Sequence, residues 1–446
     1  MSDAKNPDGG SLPGSAPKIK KRVTMKRLKV LVSAYACNPT SSLQLHPGED
    51  ITGWRLVGEL RRFHEVSVIT HTYNRQGVED ARAKGAYPDV QFHFLDLPGA
   101  LRALYKVEIG QRVYYYLWQI WAWRLARRLH RRMGFDITHH LTFGNDWLAG
   151  FIGAFLPVPY IHGPVGGGQR TPDPLLKEYT LYGRFAEKVR VTAQWVGRHD
   201  PVRLRCLRKA KAILVCNKET RRKIPARDRA KTIYFPVNGM SRQDLELMPS
   251  AALHGGPFRI LTAGRLHRLK GFAIGIKAFA RFARRHPDCE FWIIGDGEEE
   301  TSLRALTAEL HLEEKVRMIP WLPRTELLKT LATADVVMFP SFRDGGGAVV
   351  VEAMAAAKPV IVIDSGGPGS HIEDAWGIKI PPGEPDIVAD GLAAALTRLA
   401  EDEGLRQRLG RAARRRVEEF YIYDKEGERL LEIYRRALGM TEDPIR

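Results

Sequence analysis

The sequence predicts an α/β protein of two domains, each built on a parallel β-sheet, with a cleft between them. Its 446 residues suffice for two cores of ordinary size. A strand pattern at residues 27–36, a helical pattern at 51–63 and a second strand pattern at 65–70 together make a βαβ unit. Several later strands end in glycine-rich turns. Because ligands of parallel sheets bind beyond the strand ends, we expect the functional site in the cleft.

Composition excludes several classes of protein. Hydrophobic residues make up 44% and charged residues 27% of the chain, as in soluble globular proteins. No apolar run approaches the roughly 20 residues that a membrane-spanning helix needs. The cysteines are scattered and form no CxxC pair, which argues against a zinc site or a disulfide scaffold and predicts a cytoplasmic protein. They are Cys37, Cys206, Cys216 and Cys289.

The strongest compositional signal is a formal net charge of +18. It predicts attraction to an anionic partner, and nucleic acid, anionic lipid or a phosphorylated substrate would each satisfy it. The basic residues are dispersed along the chain and no nucleic-acid-binding module is recognisable. We therefore expect no nucleic-acid partner.

Shifts in composition divide the chain into five parts. The polar start, rich in Gly, Pro and Ser, predicts a disordered leader over residues 1–25. Residues 26–240 are predicted to form an N-terminal domain and residues 258–420 a C-terminal domain. The aperiodic segment 241–257 is the predicted linker. Residues 421–446 are predicted to be helical.

Two strand exits of the N-terminal domain carry histidines. Residues 136–144 and 158–169 each predict a short strand that runs into a loop, and the second loop is glycine-rich. A histidine at the carboxyl end of a strand can hydrogen-bond a ligand or handle a proton near neutral pH. Of His139, His140 and His162, we favour His140 and His162 as catalytic candidates. A structural role is the alternative for each of them.

An aromatic, basic helix is predicted at residues 113–132. Leu117, Trp121, Leu125 and Leu129 form an apolar stripe with arginines beside it. Further aromatic residues are Tyr114, Tyr116, Trp118 and Trp123. Such a helix can lie in an anionic membrane interface. The alternative is a domain helix whose stripe packs on the sheet, and both interpretations stay open.

The C-terminal domain opens with a strand and a turn that carries two cations. Gly264 and Arg265 end the strand, and Lys270 and Gly271 precede a helix. Two fixed cations beside a pyrophosphate would stabilise a nucleoside diphosphate leaving group, on which negative charge builds as the bond breaks. A solvated start of a basic helix is the alternative.

The densest motif reads Phe-Pro-Ser-Phe-Arg-Asp-Gly-Gly-Gly-Ala-Val-Val-Val-Glu-Ala-Met-Ala-Ala-Ala-Lys-Pro-Val-Ile. It predicts the end of a strand, a glycine turn, a short helix and a second strand. Gly346, Gly347 and Ala348 open the helix, whose first amides lack helical partners and form an anion site. Asp344 lies in the turn and Glu352 lies inside the helix.

This motif resembles the donor-site signature of glycosyltransferase family 4, a family of retaining enzymes with the two-domain GT-B fold. The family signature is Glu-Gly-Phe-Gly-Leu-x-x-x-Glu-Ala-Met-Ala-x-Gly-x-Pro-Val-Ile. The family's Gly-Arg-x-x-x-x-Lys-Gly matches the earlier turn residue by residue. Departures in this chain are Asp344 for the first Glu, Gly346 for the aromatic residue, Ala348 for Leu and Ala357 for Gly.

The resemblance implies two Rossmann-like domains facing an interdomain cleft, with a nucleotide-sugar donor in the second domain and the acceptor in the first. Arg265 and Lys270 would hold the diphosphate, assisted by the amides of residues 346–348. Glu352 would accept hydrogen bonds from the ribose hydroxyls, and Asp344 would face the donor sugar or its phosphate.

The resemblance extends to three further segments. It places Trp321 and Leu322 against the nucleotide base. It places the Gly-Pro-Val-Gly-Gly-Gly segment that follows His162 at the cleft. It also implies that the final helix packs back on the first domain.

We therefore predict a retaining, metal-independent glycosyltransferase of the hexosyltransferase type that needs no cofactor. It would move a sugar from a nucleotide-sugar donor to a glycan, lipid-linked or other cell-envelope acceptor. An anionic membrane surface is a further predicted partner through residues 113–132, which would make the protein cytoplasmic and peripheral on the inner face of the cell membrane. A nucleotide-sugar 2-epimerase of the same fold and an inactive carbohydrate- or lipid-binding protein are the alternatives.

Overall fold

The computed structural model describes residues 27–40, 47–102, 104, 108–142, 144–248 and 255–440. Within these residues the backbone forms two parallel sheets, of seven and six strands, each flanked by helices. The predicted α/β class is therefore confirmed. The predicted leader, the end of the final segment and part of the predicted linker lie outside the described residues.

The first sheet has five inner strands that are almost entirely buried and two edge strands, Gln91–Leu95 and Thr232–Tyr234, that are partly exposed. Its strands are β1 Lys29–Ala34, β2 Glu65–His71, β3 Gln91–Leu95, β4 Ile137–Thr142, β5 Tyr160–Val165, β6 Ala212–Val215 and β7 Thr232–Tyr234. Their order is β3-β2-β1-β4-β5-β6-β7, and all neighbouring strands are parallel. Parallel strands are covered by helices on both faces, which is why their sequences are continuous apolar runs.

The helices of the first half follow the strands in alternation. They are α1 Pro47–Arg61, α2 Arg75–Ala83, α3 Gly99–Arg102, α4 Glu108–Met133, α5 Phe151–Phe155, α6 Leu181–Arg198, α7 Pro201–Lys209, α8 Lys218–Lys223 and α9 Arg242–Glu246. Helix α9 lies inside the predicted linker. It begins with a capping box in which Ser241 and Asp244 satisfy each other's backbone amides.

The second sheet has six strands in the order β10-β9-β8-β11-β12-β13, all parallel. Its strands are β8 Phe258–Ala263, β9 Cys289–Ile294, β10 Val316–Ile319, β11 Val336–Phe339, β12 Val360–Ile363 and β13 Ile378–Ile380. The helices are α10 Phe272–Ala283, α11 Glu300–Glu309, α12 Arg324–Leu331, α13 Ala348–Ala355, α14 Gly366–His371, α15 Pro385–Glu401, α16 Glu403–Arg416 and α17 Tyr423–Ala437. Strands β9 and β10 lie on one side of β8, and strands β11 to β13 lie on the other. A crevice therefore opens where the neighbouring strands β8 and β11 end.

The last helix, α17, crosses back to the first sheet. Met240 and Ile422 form a parallel bridge beside it, and Glu426 forms an ion pair with Arg55 of α1. The Tyr434 hydroxyl lies 2.7 Å from Nδ1 of His139 in β4. These contacts fix the second sheet relative to the first and hold the cleft between them.

Helix α4 is the helix that was predicted as a candidate membrane surface. Trp118 is fully buried, and its Nε1–H donates to the Leu95 carbonyl at 3.0 Å. Tyr114 and Tyr115 are buried in the same core cluster. The structure therefore favours the alternative, a domain helix packed on the sheet. Among the described residues, none of the helices is both long enough and apolar enough to cross a membrane.

Candidate active site

The crevice at the ends of β8 and β11 is formed by two turns in direct contact. Gly271 closes the first turn with φ +68°, a conformation that favours glycine. A Cβ atom at Gly271 would lie 2.1 Å from the Pro340 carbonyl oxygen at the end of β11. The glycine therefore allows the first turn, which carries Arg265 and Lys270, to touch the second turn, which carries Asp344.

Lys270 and Asp344 form an ion pair across these two turns. Oδ1 of Asp344 also accepts the amide hydrogens of Gly346 at 2.9 Å and Gly347 at 3.1 Å. Two of the three amides predicted to bind a phosphate are thus already engaged by a carboxylate of the protein. Of those three, the Ala348 amide, at the first position of α13, remains as the predicted anion contact.

The surroundings of Asp344 keep its carboxylate charged. Burial raises the pKa of Asp344, but the charge of Lys270 and the amide hydrogen bonds outweigh it and set the pKa below its ordinary value. The ammonium group of Lys270 also lies 5.3 Å from the centre of the Phe339 ring. An ammonium has three N–H donors, so the bond to Asp344 leaves two of them for a ligand.

Arg265 is exposed at the start of the first turn. It forms no salt bridge with any residue in the described part of the chain. The first turn therefore carries, among the described residues, one arginine without a salt bridge and one lysine that is partly engaged by Asp344.

Glu352 is buried on α13 and has a partner that the sequence analysis did not identify. Its carboxylate forms an ion pair with Arg324, the first residue of α12. Arg324 also contacts Oδ2 of Asp244 at 3.3 Å. Burial raises the pKa of Glu352 above its ordinary value, and Arg324 opposes the rise. A ribose hydroxyl would therefore have to share this carboxylate with Arg324.

The residues predicted to lie against the base differ in exposure. Trp321 is 67% exposed after β10, and its amide donates to Asp296 at 3.3 Å. Leu322 is half-buried and packs against the core of the second sheet. An exposed indole beside a strand end is available for stacking, whereas the Leu322 side chain is largely engaged.

His140 and His162 do not reach the surface of the cleft. The two rings lie stacked inside the first domain, with centroids 5.4 Å apart. Nε2 of His140 contacts the Tyr115 hydroxyl at 3.3 Å, and Nδ1 of His162 contacts the Tyr160 hydroxyl at 2.8 Å. Burial lowers the pKa of His140 to about 4 and lowers the pKa of His162 well below its ordinary value. This geometry favours the structural alternative and lends no support to a catalytic role.

The buried histidines predict an acid-sensitive contribution to stability. Neither ring nitrogen of His64 has a hydrogen-bond partner among the described residues, and burial lowers its pKa to about 4. His64 takes up a proton near pH 6.5 in the unfolded chain but not in the folded chain. The stability associated with neutral His64 is therefore complete above pH 6.5 and is lost as the pH falls. In urea unfolding, His64→Phe should reduce the loss of stability between pH 7 and 5 by about 2 kcal/mol.

The control for this experiment is His199→Gln on the exposed surface. It should leave the pH dependence of unfolding unchanged. An identical pH dependence in wild type and His64→Phe would contradict the neutral, buried state of His64.

His371 holds the glycine turn through a contact with the backbone of Gly346. Nε2 of His371 faces the Gly346 carbonyl, while Nδ1 lies 3.0 Å from the Tyr421 hydroxyl and 3.1 Å from the Tyr234 hydroxyl. Burial lowers the pKa of His371 to about 4, so the ring is neutral at pH 7. Nε2 must then carry the proton that is donated to Gly346. His371 is a positioning residue that the sequence analysis missed.

Residues of the first domain reach over the glycine turn. The Asn217 amide group donates to the Gly345 carbonyl at 3.4 Å, and the Glu219 carboxylate accepts from the Gly366 amide at 2.8 Å. A side chain at Gly345 would come within 3.1 Å of Gln169. The only sequence signal for these residues was their position just after a predicted strand.

A cavity of about 390 Å³ lies in the cleft beside this turn. Its lining includes Asn145 and Gln169 after strands of the first domain, Trp147, Gln194 of α6, and Arg343 of the second domain. Amide groups and an aromatic ring suit a polar, hydroxyl-rich ligand. Among the residues that the structure describes, no group of three or more His, Cys, Asp or Glu side chains is placed to hold a metal ion.

Two parallel-sheet domains on either side of a cleft are the architecture that solved glycosyltransferase structures share with this chain. The chain has the GT-B fold of glycosyltransferases. Residues 244–416 match the family described as glycosyl transferases group 1. This match confirms the resemblance to glycosyl transferases group 1, and family 4 stays a prediction.

Curated relatives match much of the chain at low identity. An uncharacterized glycosyltransferase of Methanocaldococcus jannaschii is 25% identical over 86% of this chain and 92% of its own length. The alpha-D-kanosaminyltransferase of Streptomyces kanamyceticus is 27% identical over 71% of this chain and 81% of its own. The lipopolysaccharide core biosynthesis glycosyltransferase LpsD of Rhizobium meliloti is 33% identical, over 39% of this chain and 46% of its own.

Solved structures share the fold across almost the whole chain. A glycosyltransferase from Rickettsia africae superposes with a TM-score of 0.61 at 15% identity, over 94% of this chain and 100% of that one. HepE of Anabaena, solved with UDP, gives a TM-score of 0.56 at 16% identity, over 92% and 100%. At these identities the likeness establishes the fold alone.

Proposed function

We propose that this glycosyltransferase is a retaining, metal-independent enzyme of family 4 and of the hexosyltransferase type. It transfers a sugar from a nucleotide-sugar donor to a glycan, lipid-linked or other cell-envelope acceptor. The observation that carries the proposal is the contact of Lys270 with Asp344 at the mouth of α13, in a domain of the matching family.

The donor's diphosphate would bind between Lys270, Arg265 and the Ala348 amide. Lys270 keeps two N–H donors beyond its bond to Asp344, and Arg265 is exposed at the same crevice. Negative charge builds on the diphosphate as the bond to the sugar breaks. Fixed cations placed there stabilise the transition state more than the ground state and so accelerate the reaction.

The two acids of the motif would have different tasks. Asp344 fixes Lys270 and orders the glycine turn through two amides, and its second task is to face the donor sugar or its phosphate. Glu352 would accept a hydrogen bond from the ribose while paired with Arg324. His371 would hold the conformation of the turn through the Gly346 carbonyl.

The acceptor would enter the 390 Å³ cavity on the side of the first domain. Two of the matching relatives carry names of cell-envelope pathways, namely lipopolysaccharide core and amylovoran biosynthesis. These names support an acceptor of that kind. Cytoplasmic localisation follows from such a role, because nucleotide sugars are the donors.

Nucleotide binding is the first test of the proposal. UDP, GDP and ADP are added to the full chain at rising concentration, and thermal unfolding is followed. A nucleotide at about 100 times its Kd should stabilise the protein by about 2.7 kcal/mol. HepE makes UDP the first choice. Stabilisation by none of the three would contradict the proposal.

The reaction itself separates the transferase from the epimerase. With the matching sugar nucleotide, a transferase releases nucleotide in step with transfer to a cell-envelope acceptor. A 2-epimerase would release nucleotide and an epimerised sugar without any acceptor. Release that is independent of acceptor would favour the epimerase, which no relative named above supports.

A further inference from the structure

Helix α6 exposes an unusual number of large apolar side chains. Their exposed fractions are Leu181 83%, Tyr182 81%, Phe185 66%, Val189 49%, Trp195 61% and Val196 60%. We call these six residues the apolar face of α6. The residues of α6 that are buried are polar, namely Glu187 and Gln194. This arrangement is the reverse of a helix that covers a domain core, so the apolar face requires another occupant.

Half of the apolar face lines a groove between the two domains. Tyr182, Phe185 and Val189 line a cavity of about 860 Å³ together with Leu269 of the second domain. Leu269 directly precedes Lys270 of the proposed donor site. The lining of the groove therefore includes a residue of the turn that carries the proposed donor site.

Three arginines join this groove to the 390 Å³ cavity. Arg112, Arg190 and Arg343 line both spaces. Glu187 pairs with Arg190 and Arg343, whereas Arg112 stacks over the Trp147 ring at 5.3 Å. Burial raises the pKa of Glu187, but the two guanidiniums outweigh it and lower the pKa to about 2.

The junction therefore carries more positive than negative charge. Three guanidiniums there face the single carboxylate of Glu187. The other acids of the groove, Glu298 and Glu299, contact His267 and Arg268 instead. An anionic group of a ligand would be favoured where the two spaces meet.

We infer that the acceptor is an anionic amphiphile, a sugar joined through a negatively charged, phosphate-type link to a hydrocarbon chain. This inference rests on the proposed function. The chain would lie along the apolar face of α6, the charged link at Arg112, Arg190 and Arg343, and the sugar in the 390 Å³ cavity beside Gly345.

The apolar groove, the arginine junction and the polar cavity follow one another in this order. The order favours this ligand over other occupants. A second copy of the chain would cover an apolar face but has no need of an arginine junction that opens into a polar cavity. A water-soluble glycan would leave the apolar side chains of the groove, Tyr182, Phe185 and Val189, in water. Only a ligand with apolar, anionic and polar parts in sequence satisfies all three.

Farnesyl phosphate, used below its micellar concentration, is the probe for this inference. Titration calorimetry on the full chain should show saturable binding. Farnesol, which lacks the charge, and inorganic phosphate, which lacks the chain, should each bind at least about tenfold more weakly, because each loses one of the two contacts. Farnesol that binds as tightly as farnesyl phosphate would overturn the anionic part of the inference.

Matched variants locate the binding. Phe185→Ser and Arg112→Gln should each weaken farnesyl phosphate binding about tenfold or more. Ile387→Ser on α15 removes an equally exposed apolar side chain and should change nothing. Arg128→Gln on α4 is the charge control, because it lies about 24 Å along the helix from Arg112.

Nucleotide binding measured on the same preparations separates this inference from the proposed function. A protein that binds UDP, GDP or ADP but not farnesyl phosphate overturns the amphiphilic acceptor and leaves the transferase standing. A dimer in light-scattering chromatography that dissociates on Phe185→Ser, without binding of the probe, would assign the apolar face to a second copy and equally overturn the inference.

Discussion

Replacing Lys270 by methionine is expected to lower the rate of sugar transfer by about 10²- to 10³-fold. The ammonium lies at the junction of both turns, beside Asp344, where the leaving diphosphate would acquire its charge. A fixed charge at that place contributes about 3 to 4 kcal/mol to transition-state stabilisation. Steady-state kinetics with the matching sugar nucleotide measures the effect, chiefly in kcat/KM.

Two further variants separate catalysis from stability. Lys329→Met on the exposed side of α12 should keep full activity. Arg265→Gln removes an exposed cation that has no salt bridge in the described part of the chain, so its loss of activity cannot arise from unfolding. Full activity of both Lys270→Met and Arg265→Gln would contradict the assigned diphosphate site.

Replacing Gly271 by alanine is expected to destabilise the second domain by about 3 kcal/mol and to abolish nucleotide binding. The added Cβ would lie 2.1 Å from the Pro340 carbonyl oxygen, and the residue has φ +68°. The strained backbone costs about 1 to 3 kcal/mol, and the backbone overlap adds to it. Urea unfolding and a nucleotide titration measure the two effects.

Gly383→Ala is the matched control for this substitution. A Cβ at Gly383 would meet nothing within 4 Å. This variant should therefore retain its stability and its nucleotide affinity. Wild-type nucleotide affinity in Gly271→Ala would show that the contact between the two turns is not needed for the site.

The sheets were predictable because their strands are short apolar runs with clear ends. The strand predicted at residues 27–36 is β1, Lys29–Ala34, and the strand predicted at 65–70 is β2, Glu65–His71. The helix predicted at 51–63 begins earlier, at Pro47. Its boundary depends on a loop conformation that residue patterns do not determine.

Within the site, motif spacing predicted which residues meet and not how they pair. Gly264, Arg265, Lys270 and Asp344 converge because the strands that carry them are neighbours at the reversal of strand order. Asp344 accepts hydrogen bonds from the amides of Gly346 and Gly347, which the motif assigns to a phosphate. Glu352 forms an ion pair with Arg324. The Glu352–Arg324 pair connects α13 with α12, and no local pattern encodes such a contact. The Asp344 contacts are local to the turn, but the motif does not show whether a carboxylate or a ligand takes these amides.

The two aromatic helices show why exposure was harder to predict. Trp118 of α4 was considered as a membrane contact and is buried in the core. Tyr182 and Trp195 of α6 carry no motif in the sequence, and they are exposed. A helical pattern shows that one face is apolar, but only the packing of the domain decides whether that face points inward.

A crystal structure of the full chain with a bound nucleoside diphosphate would show directly which residues hold the phosphates. We expect phosphate oxygens within hydrogen-bonding distance of the Lys270 ammonium and the Ala348 amide, with Arg265 turned toward them. Asp344 should still hold Lys270. Phosphates bound elsewhere in the cleft, with Lys270 and Arg265 directed away from them, would contradict the assigned diphosphate site.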